Sequence, residues 1–267
     1  SNYMPCSARA TIDEKGRVLV QIATHDLGTG TYTILTQIAA ETLDIDPKLV
    51  RVEIGDSKLP NAPLAGGSWS ATSAGSAVLK ACEALRAKLG VGSGGYVDAV
   101  KKSGAKTVTA EASTARDAEA RNYAMHGFGA HFCEVHIDPD FRTVKVARWV
   151  GAFALGKVLN EKTLRSQLHG GIVWGIGMGL LEETVMDPRY GRYVNSNLAE
   201  YHVPVNRDVP DLDVIMVPEE DKWISAIGAK GAGEIGITGA AAAIGNAVYH
   251  ATGKRVRDLP ITLDKIL

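Results

Sequence analysis

The sequence has few cysteines, almost no net charge and no long apolar run. Three of its 267 residues are cysteine, without Cys-x-x-Cys spacing, which argues against a disulfide framework, a zinc ribbon or an iron–sulfur cluster on this chain. Its 29 basic and 30 acidic residues nearly cancel, so composition does not favour nucleic-acid or membrane-surface binding. No apolar run approaches the roughly 20 residues of a membrane span. The chain is therefore expected to be globular, with buried free thiols and the cytoplasm as its compartment, the periplasm being the alternative.

The first ninety residues alternate between strand and helix patterns. An apolar alternation interrupted by Glu14-Lys15-Gly16 predicts a hairpin, and apolar residues at helical spacing predict two helices. The predicted elements are a hairpin over 8–24, a helix over Thr31–Leu43, a strand over 50–55 and a helix over 74–89.

The rest of the chain repeats this order after an interruption. Residues 91–122 are Gly-rich and polar with little periodicity, which predicts a linker or surface excursion. Residues 123–267 again show a strand pair, a helix, a strand and a helix. The sequence therefore predicts an α+β fold of two subdomains with mixed sheets, the halves being 1–90 and 123–267. The predicted elements of the second half are strands over 124–138, 143–154 and 213–217 and helices over 161–181 and 238–252.

The most informative motif is Lys230-Gly231-Ala232-Gly233-Glu234, followed by a helical alanine-rich segment. Glycines allow a backbone to approach a ligand closely. A carboxylate among them has few neighbours to solvate it, so we expect Glu234 to be poorly hydrated, with a pKa that tends upward, as in a general base. The alternative is a charge that merely favours the positive end of the helix dipole.

Asp26-Leu27-Gly28-Thr29-Gly30 lies between a predicted strand and a predicted helix. Such a turn points N–H groups outward and suits a phosphate or pyrophosphate. The dinucleotide fingerprint would need a glycine where Thr33 stands, although Glu53 lies near the position of a ribose-binding acid. A tight structural turn and an anion site are both open.

Gly66-Gly67-Ser68-Trp69-Ser70 forms a second loop before a helix. Its hydroxyls and amides can bind a polar heterocycle or a phosphate, or can simply cap the helix. A hydrolase elbow would need glycine where Ser70 stands, and no histidine is placed to activate Ser68. A serine nucleophile is therefore not expected.

His131, Cys133 and His136 lie on one predicted strand. Because side chains alternate along a strand, His136 should face away from the other two, which argues against a metal site. A separate puzzle is the predicted helix over 161–181, where glycines fall at four positions within eight, and glycine costs about 1 kcal/mol there relative to alanine. Close packing against another backbone or a bulky ligand would explain them, with Gln167 and His169 as the nearby polar groups. The glycines are Gly170, Gly171, Gly175 and Gly177.

These motifs together resemble the molybdenum-binding subunit of the xanthine oxidase and aldehyde oxidase family, in its C-terminal part. The resemblance rests on Gly-Ala-Lys-Gly-Ala-Gly-Glu-Ile-Gly at 228–236, Gly-Gly-Ile-Val-Trp-Gly-Ile-Gly at 170–177, Asn-Leu-Ala-Glu-Tyr-His-Val-Pro at 197–204 and both glycine loops. It covers nearly the whole chain, is weakest over 90–122, and is closest to bacterial three-subunit aldehyde oxidases.

The resemblance implies a molybdopterin hydroxylase of aldehydes or N-heterocycles, with water as oxygen source. Glu234 would be the base, and the metal would be held by the pterin rather than by protein side chains. The cofactor would be molybdenum-molybdopterin, the cytosine dinucleotide form being one alternative. The residues implied to hold it are Gly28, Thr29, Gly67, Ser68, Trp69, Ser70, Gln167 and Gly233.

The resemblance also implies partners outside this chain: the upstream half of the same subunit, an iron–sulfur subunit and an FAD subunit. Alone, the chain is expected to be inactive. It departs from the family pattern at Thr29 and Trp174, where many relatives have glutamine, and at His169, where an acid is common. Two alternatives remain open, namely a nucleotide-binding module built on Gly28-Thr29-Gly30 and a non-catalytic assembly domain.

Overall fold

A computed structural model describes residues 3–115 and 122–267 of the chain, which divide into two compact units. The first comprises residues up to 127 together with 155–164 and 218–233, and the second comprises 128–154, 165–217 and 234–267. The predicted contiguous halves therefore differ from the observed units, because the chain re-enters the first unit twice.

The first unit is built on a four-stranded sheet whose strand order is β3-β2-β1-β4. The predicted hairpin is confirmed, with β1 and β2 antiparallel and β3 added parallel to β2. The helix between β2 and β3 begins after Gly30 and ends before Asp44, whose left-handed conformation is typical of a helix C-terminus. The elements are β1 (Cys6–Asp13), β2 (Val18–Gln21), α1 (Thr31–Leu43), β3 (Val50–Glu53) and α2 (Ser70–Leu89).

Residues 91–122 are not a linker where the structure describes them. They contain a short helix, α3 (Tyr96–Lys102), and a strand, β4 (Thr107–Thr114). β4 pairs antiparallel with all eight residues of β1, from Cys6 opposite Thr114 to Asp13 opposite Thr107. β4 is an edge strand, and most of its side chains lie outside the core. Because these side chains are largely polar, the sequence shows no apolar alternation that would predict a strand.

The second unit has a three-stranded sheet in the order β5-β6-β9, with β5 and β6 antiparallel and β9 parallel to β6. The predicted strand pair, long helix, strand and last helix are all present. The elements are β5 (Phe128–Ile137), β6 (Val144–Ala154), α4 (Glu161–Leu180), the small hairpin β7 (Met186–Asp187) and β8 (Arg192–Tyr193), β9 (Asp211–Val217) and α5 (Ala240–Thr252).

Both sheets therefore carry the same motif. In each, a hairpin is followed by a helix, a strand parallel to the second hairpin strand, and a further helix, so β1-β2-α1-β3-α2 matches β5-β6-α4-β9-α5. The predicted structural repeat and the α+β class with mixed sheets are confirmed. Across the described residues, every helix is too short or too polar to cross a bilayer.

Candidate functional site

Two of the predicted loops meet in the first unit. Gly231 lies so close to the carbonyl oxygen of Ser68 that a Cβ at position 231 would overlap it. A Cβ on Gly233 would lie 3.2 Å from Ser68 Oγ. Gly231 is thus required for main-chain contact with a loop that is distant in sequence, and Gly233 lies beside the Ser68 side chain. This contact joins two of the predicted cofactor-binding segments into one surface.

The loop that carries Ser68 has a demanding backbone. Gly67 and Ser68 have φ of 56° and 58°, and Ser68 is a non-glycine residue in the left-handed region, where side chains are unfavourable. The indole N–H of Trp69 donates to the carbonyl of Leu64 at 2.7 Å, and the ring covers Gly67. Trp69 therefore braces its own loop, and Ser70 begins α2 directly after it.

His25 connects this loop to the Gly28-Thr29-Gly30 turn and was missed by sequence analysis. Its Nε2 accepts a hydrogen bond of 3.0 Å from the Ala65 N–H, and its carbonyl accepts from Thr31 Oγ1 at 3.5 Å. Through these two hydrogen bonds, His25 connects the 66–70 loop to the Gly28-Thr29-Gly30 turn. The sequence feature that could have indicated this role is the position of His25 directly before Asp26.

The Gly28-Thr29-Gly30 turn is already capped by the chain itself. Asp26 Oδ1 accepts hydrogen bonds from the backbone N–H of Gly28 at 2.7 Å and of Gly30 at 3.4 Å, and Oδ2 accepts one from the backbone N–H of Tyr32 at 3.4 Å. An internal carboxylate on these donors disfavours a second anion there. Thr29 is exposed beside it.

Glu53, the other residue of the nucleotide hypothesis, is engaged at the end of its strand. Its carboxylate accepts from Gln21 Nε2 at 2.9 Å and pairs with Arg51 at 3.0 Å. Glu53 is thus occupied by neighbours on the sheet, as the Gly28-Thr29-Gly30 turn is by Asp26. These two features therefore do not favour nucleotide binding.

Lys230 begins the Lys-Gly-Ala-Gly-Glu motif, but sequence analysis gave its side chain no role. Its side chain is 3% exposed, and Nζ lies 2.6 Å from Glu219, 3.4 Å from Asp221 and 2.9 Å from the carbonyl oxygen of His126. Glu219 in turn accepts from the N–H of Gly156 at 2.9 Å. A buried ammonium needs such partners, and here they anchor the start of the motif that ends in Glu234.

Glu234 opens a turn in the second unit, residues 234–239, called here the Glu234 turn. Its carbonyl accepts from Ile237 N–H at 3.4 Å and from Thr238 Oγ1 at 3.2 Å. Its side chain is exposed in this chain. The expectation of a poorly hydrated carboxylate is therefore wrong for the chain as described, because glycines supply no side chains to cover it.

The glycines of α4 are explained largely by packing. Within the second unit, the backbone of Gly171 lies against Gly236, and a Cβ on Gly175 would overlap that of Ala240. A Cβ on Gly177 would meet Glu182 and Pro204. At Gly170 it would meet nothing within 4 Å in the described part of the chain. Gln167 lies half-buried one turn before Gly171 on the same helix.

The strand of His131, Cys133 and His136 alternates as predicted. His131 packs edge-on against Trp149 and Phe153, whereas His136 is 69% exposed and lies 3.2 Å from Glu134. Residues 3–115 and 122–267 contain no group of three potential metal ligands.

The sequence model of the molybdopterin cofactor-binding domain family matches residues 2–210 of this chain. Among curated proteins, the chain is similar to the aldehyde oxidoreductase molybdenum-binding subunit PaoC of Escherichia coli strain K12, with 39% identity over 97% of this chain and 38% of PaoC. It is also similar to the probable hypoxanthine oxidase XdhD of the same strain, with 27% identity over 96% of this chain and 29% of that protein.

Among solved structures, the chain is similar to the aldehyde oxidoreductase from Desulfovibrio desulfuricans ATCC 27774. The TM-score is 0.85 at 27% identity, covering 98% of this chain and 30% of that one. The chain thus spans 38% of the length of PaoC and 29% of the length of XdhD.

Proposed function

This chain belongs to the molybdopterin cofactor-binding domain family, and we propose that it is the C-terminal part of the molybdenum-binding subunit of a hydroxylase. The proposed reaction is oxidation of aldehydes or N-heterocycles with water as the oxygen source. PaoC, which is 39% identical over 97% of this chain, is an aldehyde oxidoreductase subunit by name. The chain alone is expected to be inactive.

The observation that carries this proposal is the contact of Gly231 and Gly233 with Ser68. It brings the Gly-Gly-Ser-Trp-Ser loop next to the glycines that directly precede the proposed base. Both segments approach through main chain and small side chains, so the surface is lined by main-chain polar groups and a hydroxyl. Such a lining fits a polar pterin better than it fits an apolar ligand.

The proposed cofactor is molybdenum-molybdopterin, in its simple or its cytosine dinucleotide form. When bound, it would supply the two-electron oxidation of the substrate. Gly67, Ser68, Trp69, Ser70 and Gly233 are proposed to hold it in the first unit and Gln167 in the second. Gly28 and Thr29 are also proposed, with Thr29 as the better candidate, because Asp26 already bonds to the N–H of Gly28.

Glu234 is proposed as the general base, which accepts a proton as the substrate is hydroxylated. A base of this kind works best when shielded from bulk water, because burial raises the pKa of a carboxyl group. Since Glu234 is exposed in this chain, the shielding must come from substrate, cofactor or further polypeptide.

The sheet of the second unit offers a surface for such further polypeptide. Its face opposite α4 and α5 carries exposed apolar side chains on two strands, where a solvated face would be polar. Its most exposed members are Phe128, Phe132, Ile215 and Val217. We propose that the upstream half of the subunit covers this face, and that separate iron–sulfur and FAD subunits complete the complex. The cytoplasm stays the predicted compartment.

The test is Glu234→Gln in the complete complex, with Glu183→Gln as control, because Glu183 is an exposed glutamate outside the proposed site. Loss of a positioned base lowers kcat by about 10²–10⁴-fold. We expect that loss in Glu234→Gln, with molybdenum content unchanged, and wild-type activity in the control. Normal turnover by a fully loaded Glu234→Gln complex would refute the assignment.

A further inference from the structure

The Glu234 turn is held from two sides within the second unit. On one side it meets α4, because a Cβ on Gly236 would lie 2.8 Å from the carbonyl oxygen of Leu168 and 3.1 Å from Gly171 Cα. On the other side it meets β5, where a Cβ on Gly239 would lie 3.4 Å from Cδ2 of His131. The imidazole of His131 is therefore a side chain of β5 that faces this turn.

The orientation of the imidazole is set by Trp149. The indole Nε1 of Trp149 lies 3.2 Å from His131 Nδ1. An indole N–H can only donate, so Nδ1 must accept and the neutral ring must carry its proton on Nε2. The edge-on rings of Trp149 and Phe153, at centroid distances of 5.7 and 5.2 Å, hold this orientation.

The Nε2–H of His131 is buried and directed at the Glu234 turn. Within the described residues no acceptor meets it in full hydrogen-bond geometry. Burial lowers the pKa of His131, and the nearby backbone of Thr238 and Ile235 opposes that shift. A buried donor without an acceptor is unfavourable. A small shift of the turn that brings the backbone carbonyl of Ile235 or Thr238 to the Nε2–H would therefore be stabilising.

We propose that His131 is a positioning residue for Glu234, acting through its Nε2–H on the backbone of the Glu234 turn. This rests on the proposed role of Glu234 as base. The backbone of the Glu234 turn determines where the Glu234 side chain begins, and that backbone lies against α4 and against His131. Misplacement of a catalytic group by about 1 Å can lower the rate about 100-fold.

The test compares two substitutions at His131 in the complete complex. His131→Gln keeps an N–H near the position of Nε2, whereas His131→Phe keeps a ring and loses the donor. His136→Gln is the matched control on the same strand, since His136 is exposed on the opposite face. We expect His131→Phe to lower kcat about 10- to 100-fold with unchanged KM and molybdenum content, and His131→Gln to retain at least about a third of kcat.

A second readout does not depend on activity. Hydrogen–deuterium exchange of the peptide covering 234–240 should be at least about threefold faster in His131→Phe than in wild type, and unchanged in His136→Gln. Wild-type kcat and exchange in His131→Phe, or equal losses in the Gln and Phe variants, would overturn the proposal.

The two proposals fail separately. If Glu234→Gln is fully active, the base assignment fails whatever His131 does. If Glu234→Gln is inactive and His131→Phe behaves as wild type, only the positioning role is lost.

Discussion

The main chain of Gly171 in α4 lies directly against the main chain of Gly236 in the Glu234 turn. A Cβ built on Gly171 would come within 2.7 Å of Gly236 Cα. Helix and turn can therefore approach this closely only because both positions are glycine. The cost of glycine in a helix is offset by a contact that any larger residue would prevent.

Adjacent glycines of α4 should respond to alanine with opposite signs. Gly170→Ala should raise the free energy of unfolding by about 0.5–1 kcal/mol, because alanine favours a helix and nothing occupies the space in the described residues. Gly171→Ala should lower it by about 1–3 kcal/mol through overpacking. Urea unfolding of the purified protein measures both, and equal effects would contradict the packing argument.

Lys230 should be essential to the stability of its loop. Lys230→Met keeps the length of the side chain and leaves Glu219 and Asp221 without their shared cation, so we expect a loss of about 3–5 kcal/mol. Lys222→Met is the control, since Lys222 is exposed and lies 5.2 Å from the Trp223 ring; it should lose less than about 1 kcal/mol. Similar unfolding midpoints for the two variants would show that the buried pair contributes little.

The apolar face of the second sheet should be needed for assembly. Phe132→Lys places a charge on this face, whereas Phe141→Lys makes the same change in the turn after β5, at similar exposure. Size-exclusion chromatography of the co-expressed complex should show Phe132→Lys reduced to below about a tenth of wild-type assembly, because buried aromatic anchors dominate interfaces. Phe141→Lys should assemble normally. Unchanged circular dichroism would establish that both fold.

The buried thiols should make the protein sensitive to alkali. Burial raises the pKa of Cys6 and of Cys82 to about 12. Cys133 is half-buried rather than buried as predicted, and its partial burial raises its pKa to about 11. The contribution of these thiols to folding stability is complete at a pH below their pKa of about 9.0 in the unfolded chain. It is lost as the pH rises from there towards 12. When the pH is raised from about 7 to about 10, the free energy of unfolding should fall by about 1.4 kcal/mol less in Cys82→Ala than in wild type. Equal losses in urea unfolding would mean that Cys82 ionises freely when folded.

Pattern alone was sufficient for most secondary structure. The bounds of α1 were predicted to the residue, and both hairpins and the repeated order of elements followed from apolar periodicity. β4 was missed because its polar side chains carry no strong alternation, while its pairing with β1 depends on backbone hydrogen bonds that any sequence can form. The Lys-Gly-Ala-Gly-Glu motif, together with the segments 170–177 and 197–204 and the two glycine loops, likewise identified the family from the sequence alone.

Tertiary structure alone decided which side chains meet. Asp26 takes the N–H groups of a turn for which the sequence left an anion site and a structural role both open, and Lys230 meets the carboxylates of Glu219 and Asp221, which the sequence did not indicate. The contact of Ser68 with Gly231, and the exposure of Glu234, are likewise products of folding. Periodicity reports local backbone preference and burial, whereas contacts between distant residues depend on how packed elements compete for the same donors and the same space.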